Sequence, residues 1–208
     1  MTFAHLNTCI QPALQFHTQD EPLYLPATAS EAARIGYAHG YARSLLHEVS
    51  HWCLAGADRL SQEDYGYWYE PDTRNLEAQL SFEAAEVRPQ AFEWLCTLAL
   101  GLQFRVSLDN LGEVRNHPLY DGGKSFKTEV YHQAKLFQSS YARAELLYTL
   151  EKSAPNALTP DHAAYAQTHL SDLKPLQRTI FPPRAYAWLR ALLEGRSVHD
   201  LVVDLSQL

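Results

Sequence analysis

The residues most able to do chemistry are His47-Glu48-Val49-Ser50-His51, an HExxH pattern. On a helix, His47 and His51 stand one turn apart on one face, so two imidazoles can hold one metal ion. Glu48 lies about 100° further round the helix, beside that position, where a catalytic acid or base would stand. A third ligand must come from elsewhere, and the segment FEAAEVRPQ offers Glu83 and Glu86. Two histidines and a glutamate suit two chemistries. With Zn²⁺, a bound water is activated and Glu48 acts as general base, as in a metallopeptidase. With Fe(II), a facial triad leaves open positions for O2 and a second ligand. The pattern alone favours the peptidase. The plainer alternative is an amphipathic core helix whose two histidines hydrogen-bond locally.

Two helices must position these groups. Over 37–56, Ala42, Leu45, Leu46, Val49, Trp52 and Cys53 recur at three- and four-residue spacing without a proline, and Gly56 supplies a stop. Over 76–102 a second helical pattern carries the apolar stripe Phe82, Ala85, Pro89, Phe92, Cys96 and Ala99, with Pro89 expected to kink it or start a new segment. At 100° per residue, Glu86 falls about 80° from the centre of that stripe and Glu83 about 140°. Glu86 is therefore expected at the border of the buried face, as the third ligand, and Glu83, the alternative ligand, closer to solvent.

The rest of the chain reads as mainly α with a few short strands, an α+β class. Pro22 and Pro26 bracket Leu23-Tyr24-Leu25, an edge strand or extended arm. Thr28 or Ser30 is expected to cap a helix that runs into the HExxH helix or breaks near Gly36. Asp64 to Asp72 packs four aromatics into a short run, either a strand or an aromatic wall beside the site. A short strand is expected at 104–108, a turn at 109–112, a loop at 116–123 and a helix at 125–151. Thr159, Pro160 and Asp161 read as a helix start. Pro182 and Pro183 open a helix ended by Gly195, and Ser197 to Asp200 form a capping box. Residues 1–115 are expected to form the metal-binding catalytic core, and 116–208 a helical C-terminal region packed on the same domain.

Composition narrows the function classes. A 208-residue chain that is 46% hydrophobic can bury a full core. Its net charge of −7 and pI of about 5.8 argue against direct nucleic-acid binding and favour a basic partner. The longest strongly apolar stretch, around Trp94 to Leu102, is too short to span a bilayer. The opening MTFAHLNTCIQPALQ does not read as a signal peptide. Cys9, Cys53 and Cys96 have no CxxC spacing and suggest reduced thiols in a cytoplasmic protein.

Five segments together narrow the reading further. DEPLYLP at 20–26, AHGYARSLLHEVSHWCLAG at 38–56, DYGYWYEPD at 64–72, FEAAEVRPQAFEWL at 82–95 and VSLDNL at 106–111 resemble, in order and spacing, the elongation factor P hydroxylase family. The resemblance implies a bacterial cytoplasmic enzyme with a zincin-like core, in which the HExxH helix packs on a glutamate-bearing helix. It implies O2 chemistry at a mononuclear non-heme Fe(II) held by His47, His51 and a glutamate of the Glu83/Glu86 pair; Zn, which the HExxH pattern alone suggests, is the alternative metal. The implied substrate is a lysine of translation elongation factor P already lengthened by a β-lysine. Asp64, Tyr65, Tyr67, Tyr69 and Asp72 are the substrate-side candidates. A zinc peptidase and a non-enzymatic binding module with a structural metal are the competing functions. No nucleic acid or membrane is expected as a direct partner.

Overall fold

A computed structural model describes residues 14–63, 74–108, 112–152 and 181–208. Within them the protein is mainly helical with one small sheet, as its sequence pattern predicts. Strands β1 (Leu14–Gln19), β2 (Leu23–Leu25) and β3 (Ala33–Ala38) form that sheet in the order β1-β3-β2. β1 pairs parallel with β3, Phe16 opposite Ile35, and β2 pairs antiparallel with it, Tyr24 opposite Ile35. The Pro22–Pro26 bracket thus holds an edge strand, where a missing main-chain donor is tolerated.

The helix expected after Ser30 is not there. Residues 33–38 are the central strand, hydrogen-bonded on both edges, with Ala33 and Ile35 alternating into the core. Thr28 caps a turn rather than a helix: its Oγ1 accepts the N–H groups of Ser30 and Glu31. Pairing on two sides outweighs the local preference of an alanine-rich segment, because strand formation is decided by neighbours. His39 (φ 51°) and Gly40 (φ 74°) then turn the chain sharply, and the His39 N–H donates to the Gln19 carbonyl.

Helix α1 (Ala42–Leu54) therefore begins five residues later than the pattern 37–56 suggests. It ends before Gly56, which does not adopt a left-handed cap. Its last carbonyls are met instead by Arg184, whose guanidinium donates to the carbonyls of Trp52 and Ala55. Helix α2 (Leu76–Ala99) is capped by Asn75, whose side chain accepts the Ala78 N–H at 2.9 Å, and it runs unbroken through Pro89. Helices α3 (Lys124–Lys152) and α4 (Pro183–Leu193) follow, the latter with proline at its first turn. Glu194 and Gly195 terminate α4 in left-handed conformations, and the capping box at Ser197 and Asp200 starts a single 3-10 turn. The helix start expected at Thr159, and residues 109–111 of the turn expected at 109–112, lie outside the described residues.

No strand forms at 104–108. The backbone there takes no regular structure and bonds to side chains of the helices rather than to a sheet. Gln90 both donates to the Ser107 carbonyl and accepts its N–H, each at 2.9 Å. Arg43 donates to the Arg105 carbonyl and Gln79 to that of Leu108. Main-chain groups need partners but do not require a strand to supply them.

One apolar core joins these elements. Leu14 and Ile35 come from the sheet, Val49 and Cys53 from α1, Phe92 and Leu95 from α2, Phe137 from α3 and Trp188 from α4. Cys53 and Cys96 are buried free thiols in that core, and burial pushes both thiols up. Cys9 lies outside the described residues.

Candidate metal centre

α1 lies against α2, and the contact places the HExxH face opposite a polar face of α2. His47 Nε2 and His51 Nε2 stand 3.2 Å apart. Glu86 reaches both: Oε2 is 3.5 Å from His47 Nε2 and Oε1 is 3.1 Å from His51 Nε2. Among the described residues this is the one group of histidine, cysteine and acidic side chains whose ligand atoms all fall within 4.8 Å of one another. Glu86 and His51 are almost closed to solvent, while the His47 side chain keeps 26% of its exposure and marks the open side.

The donor set fits a cation. Two donors each about 2.1 Å from one ion stand about 3 Å apart, which these separations match. A buried carboxylate is costly unless it is paired with positive charge. Neither arginine that could pair with Glu86 does so, since Arg43 donates to the Arg105 carbonyl and Arg88 lies over the Phe137 ring. Charge at the site responds accordingly. Burial works against a charged His47, but its hydrogen bond to Glu93 and the charges of Glu86, Glu93 and Glu48 prevail and push its pKa up to about 10. Burial also works against a charged Glu86, yet the charges of His51 and His47 and hydrogen bonds from His51 and Gln90 hold it down at about 2. The carboxylates Glu48, Glu86 and Glu93 around His47 favour positive charge at this site. Burial raises the Glu48 carboxyl, with the two histidines opposing.

Glu83 is buried, contrary to the expectation that it faces solvent. Its Oε1 accepts from Gln79 Nε2 at 3.0 Å and from the Tyr120 hydroxyl at 2.5 Å. The reason lies in the first half of α2. There Ala85 is exposed and Phe82 is half-buried under the Arg74 guanidinium, so the apolar stripe does not define the buried face. The face turned inward is polar: Gln79, Glu83, Glu86, Gln90, Glu93 and Thr97 are all buried. Their spacing of four, three, four, three and four residues is helical, a signal present in the sequence and readable only by following polar residues instead of apolar ones. It brings in two residues beyond the expected set. Glu93 Oε2 lies 3.0 Å from His47 Nδ1, and Gln90 donates to Glu86 Oε2 at 3.4 Å. The substrate-side candidates Asp64, Tyr65, Tyr67, Tyr69 and Asp72 lie outside the described residues.

Fold and site together define a mainly helical protein with a largely buried cluster of two histidines and one carboxylate that could hold a metal ion. The chain belongs to the elongation factor P hydroxylase family, whose model matches residues 3–198 and so extends well into the C-terminal third. Over 119 residues it is 44% identical to the elongation factor P lysine hydroxylase of Haemophilus influenzae. That alignment covers 57% of this chain and 64% of the relative, just under two thirds of its length. Among the described residues no helix is long and apolar enough to cross a membrane.

Proposed function

We propose that this protein hydroxylates a lysine of translation elongation factor P, using Fe(II) held by His47, His51 and Glu86, with O2 as co-substrate. The observation that carries the reading is the convergence of those three side chains in a chain of this family. Iron at this position would supply the oxygen-transfer chemistry. The protein's own residues do the rest. His47 and His51 offer Nε2 atoms from one helix face, and Glu86 offers a carboxylate from the facing helix, held by Gln90. Gln90 in turn grips the Ser107 backbone, so the ligand's orientation is tied to the 104–108 segment. The proposed substrate is the β-lysylated side chain, in the cytoplasm, with Asp64, Tyr65, Tyr67, Tyr69 and Asp72 as its proposed contacts. The net charge of −7 favours approach of such a cationic group.

Intact-mass spectra test this directly. Incubation of β-lysylated elongation factor P with the protein, Fe(II), reductant and O2 is expected to add about 16 Da, one oxygen atom. An unchanged mass sinks the proposal.

Glu48 separates the hydroxylase from the zinc peptidase that HExxH also suggests. In the hydroxylase it lies beside the ligands and orients a bound water or a neighbouring group. Glu48→Gln is then expected to keep the metal and lose less than the about 100-fold that removal of a general base costs. Peptide cleavage by wild type that vanishes in Glu48→Gln would instead make the protein a peptidase.

A further inference from the structure

We infer that Glu93 is a positioning residue for His47: its carboxylate accepts the Nδ1 proton and so fixes the tautomer in which Nε2 presents its lone pair beside His51 and Glu86. The inference rests on the metal-site reading above and concerns a residue that neither the HExxH pattern nor the ligand cluster includes.

Geometry gives Glu93 this role. Glu86 and Glu93 are two turns apart on the same face of α2, so one carboxylate meets the Nε2 side of the His47 ring and the other meets Nδ1. An imidazole has one donor and one acceptor nitrogen when neutral, and the partner of one decides the state of the other. A carboxylate on Nδ1 can only accept, which leaves Nε2 as the lone-pair atom. Glu93 sits in the most apolar part of its helix, between Phe92 and Trp94, both fully buried. Among the described residues His47 is its one hydrogen-bond partner, and no lysine or arginine pairs with it. A carboxylate placed there at the cost of desolvation, and aimed at the outer nitrogen of a ligand histidine, acts on that histidine. Such partners fix ring orientation and raise ligand basicity.

The test uses the full chain and Co(II) as the probe, titrated by its visible absorption. Glu93→Gln keeps the shape and removes the charge, and is expected to weaken Co(II) binding about 10-fold; Glu93→Ala is expected to weaken it up to about 100-fold. Glu83→Gln, an equally buried carboxylate outside the cluster, leaves the affinity within about twofold. A second readout is the Nδ1 proton of His47 in the Zn-loaded protein. In wild type it should be shifted downfield and protected from exchange, and in Glu93→Gln it should move upfield. A structural role alone would lower the unfolding midpoint of all Glu93 variants without moving that resonance or the Co(II) affinity, and this result overturns the inference. Wild type that binds no Co(II) overturns the metal-site reading itself, whereas wild-type binding matched by Glu93→Gln overturns only the role of Glu93.

Discussion

Glu86→Ala is expected to purify with little metal and no hydroxylase activity, while Glu83→Ala keeps most of its metal. The two glutamates sit one turn apart on α2 and are equally buried, so burial alone does not distinguish them. Their partners do. Glu86 faces the Nε2 atoms of His47 and His51, and its removal takes the carboxylate away from both of those atoms. Loss of a partner outside the ligand set already costs about 10- to 100-fold in affinity, and loss of a direct ligand is expected to exceed that. Glu83 instead receives the hydroxyl of Tyr120 and the amide of Gln79. Glu83→Ala strands those donors, at a cost of about 1–3 kcal/mol of stability for a buried unsatisfied group. The two variants should therefore cross over, one losing metal and the other losing stability. Metal per chain by atomic absorption and urea unfolding of the metal-free proteins read the two axes separately. Equal metal content in wild type and Glu86→Ala would refute the ligand assignment.

The convergence of His47, His51 and Glu86 is more legible in the sequence than the scaffold is, for a physical reason. A histidine pair on one helix is a local signal, because one turn fixes the distance between His47 and His51 whatever surrounds them. The partner glutamate needs the register of two helices, which the sequence constrains only through the buried face of α2. The apolar pattern misleads where that face is polar: Phe82 and Ala85 mark one side while Gln79, Glu83 and Glu86 turn inward. The same limit explains β3. Nothing within 33–38 requires a strand, and only pairing with β1 and β2 makes it one. At 104–108 the expected strand does not form, since glutamine and arginine side chains meet the main-chain groups that a neighbouring strand would have paired. Ends of elements set by local chemistry, such as the proline start of α4 and the Ser197 capping box, followed from their residues alone.

Trp188→Ala is expected to destabilise the whole protein by about 3–5 kcal/mol, the cost of removing a large aromatic side chain from a packed core. We propose that the C-terminal region packs on the metal-binding half as one cooperative unit, and this residue tests that directly. Trp188 is 1% exposed and meets the Phe16 ring of β1 edge-on at 6.2 Å. On the same helix, Arg184 caps the carbonyl end of α1, the helix that carries His47 and His51. Just beyond it, Arg196 donates to the carbonyl of Ala99 at the end of α2. The two helices that face each other across the candidate site thus both have their C-termini held from the α4 side. Domains are stable by only about 5–15 kcal/mol, so a loss of this size removes a large share of the total. Val202, 65% exposed, is the control, and Val202→Ala should stay within about 0.5 kcal/mol of wild type. Equilibrium unfolding of the metal-free proteins should show one transition, shifted to lower denaturant in Trp188→Ala, with tryptophan fluorescence and far-ultraviolet circular dichroism moving together. Two separate transitions, with Co(II) binding by Trp188→Ala intact across the first, would make the C-terminal region an independent appendage and the cooperative unit wrong.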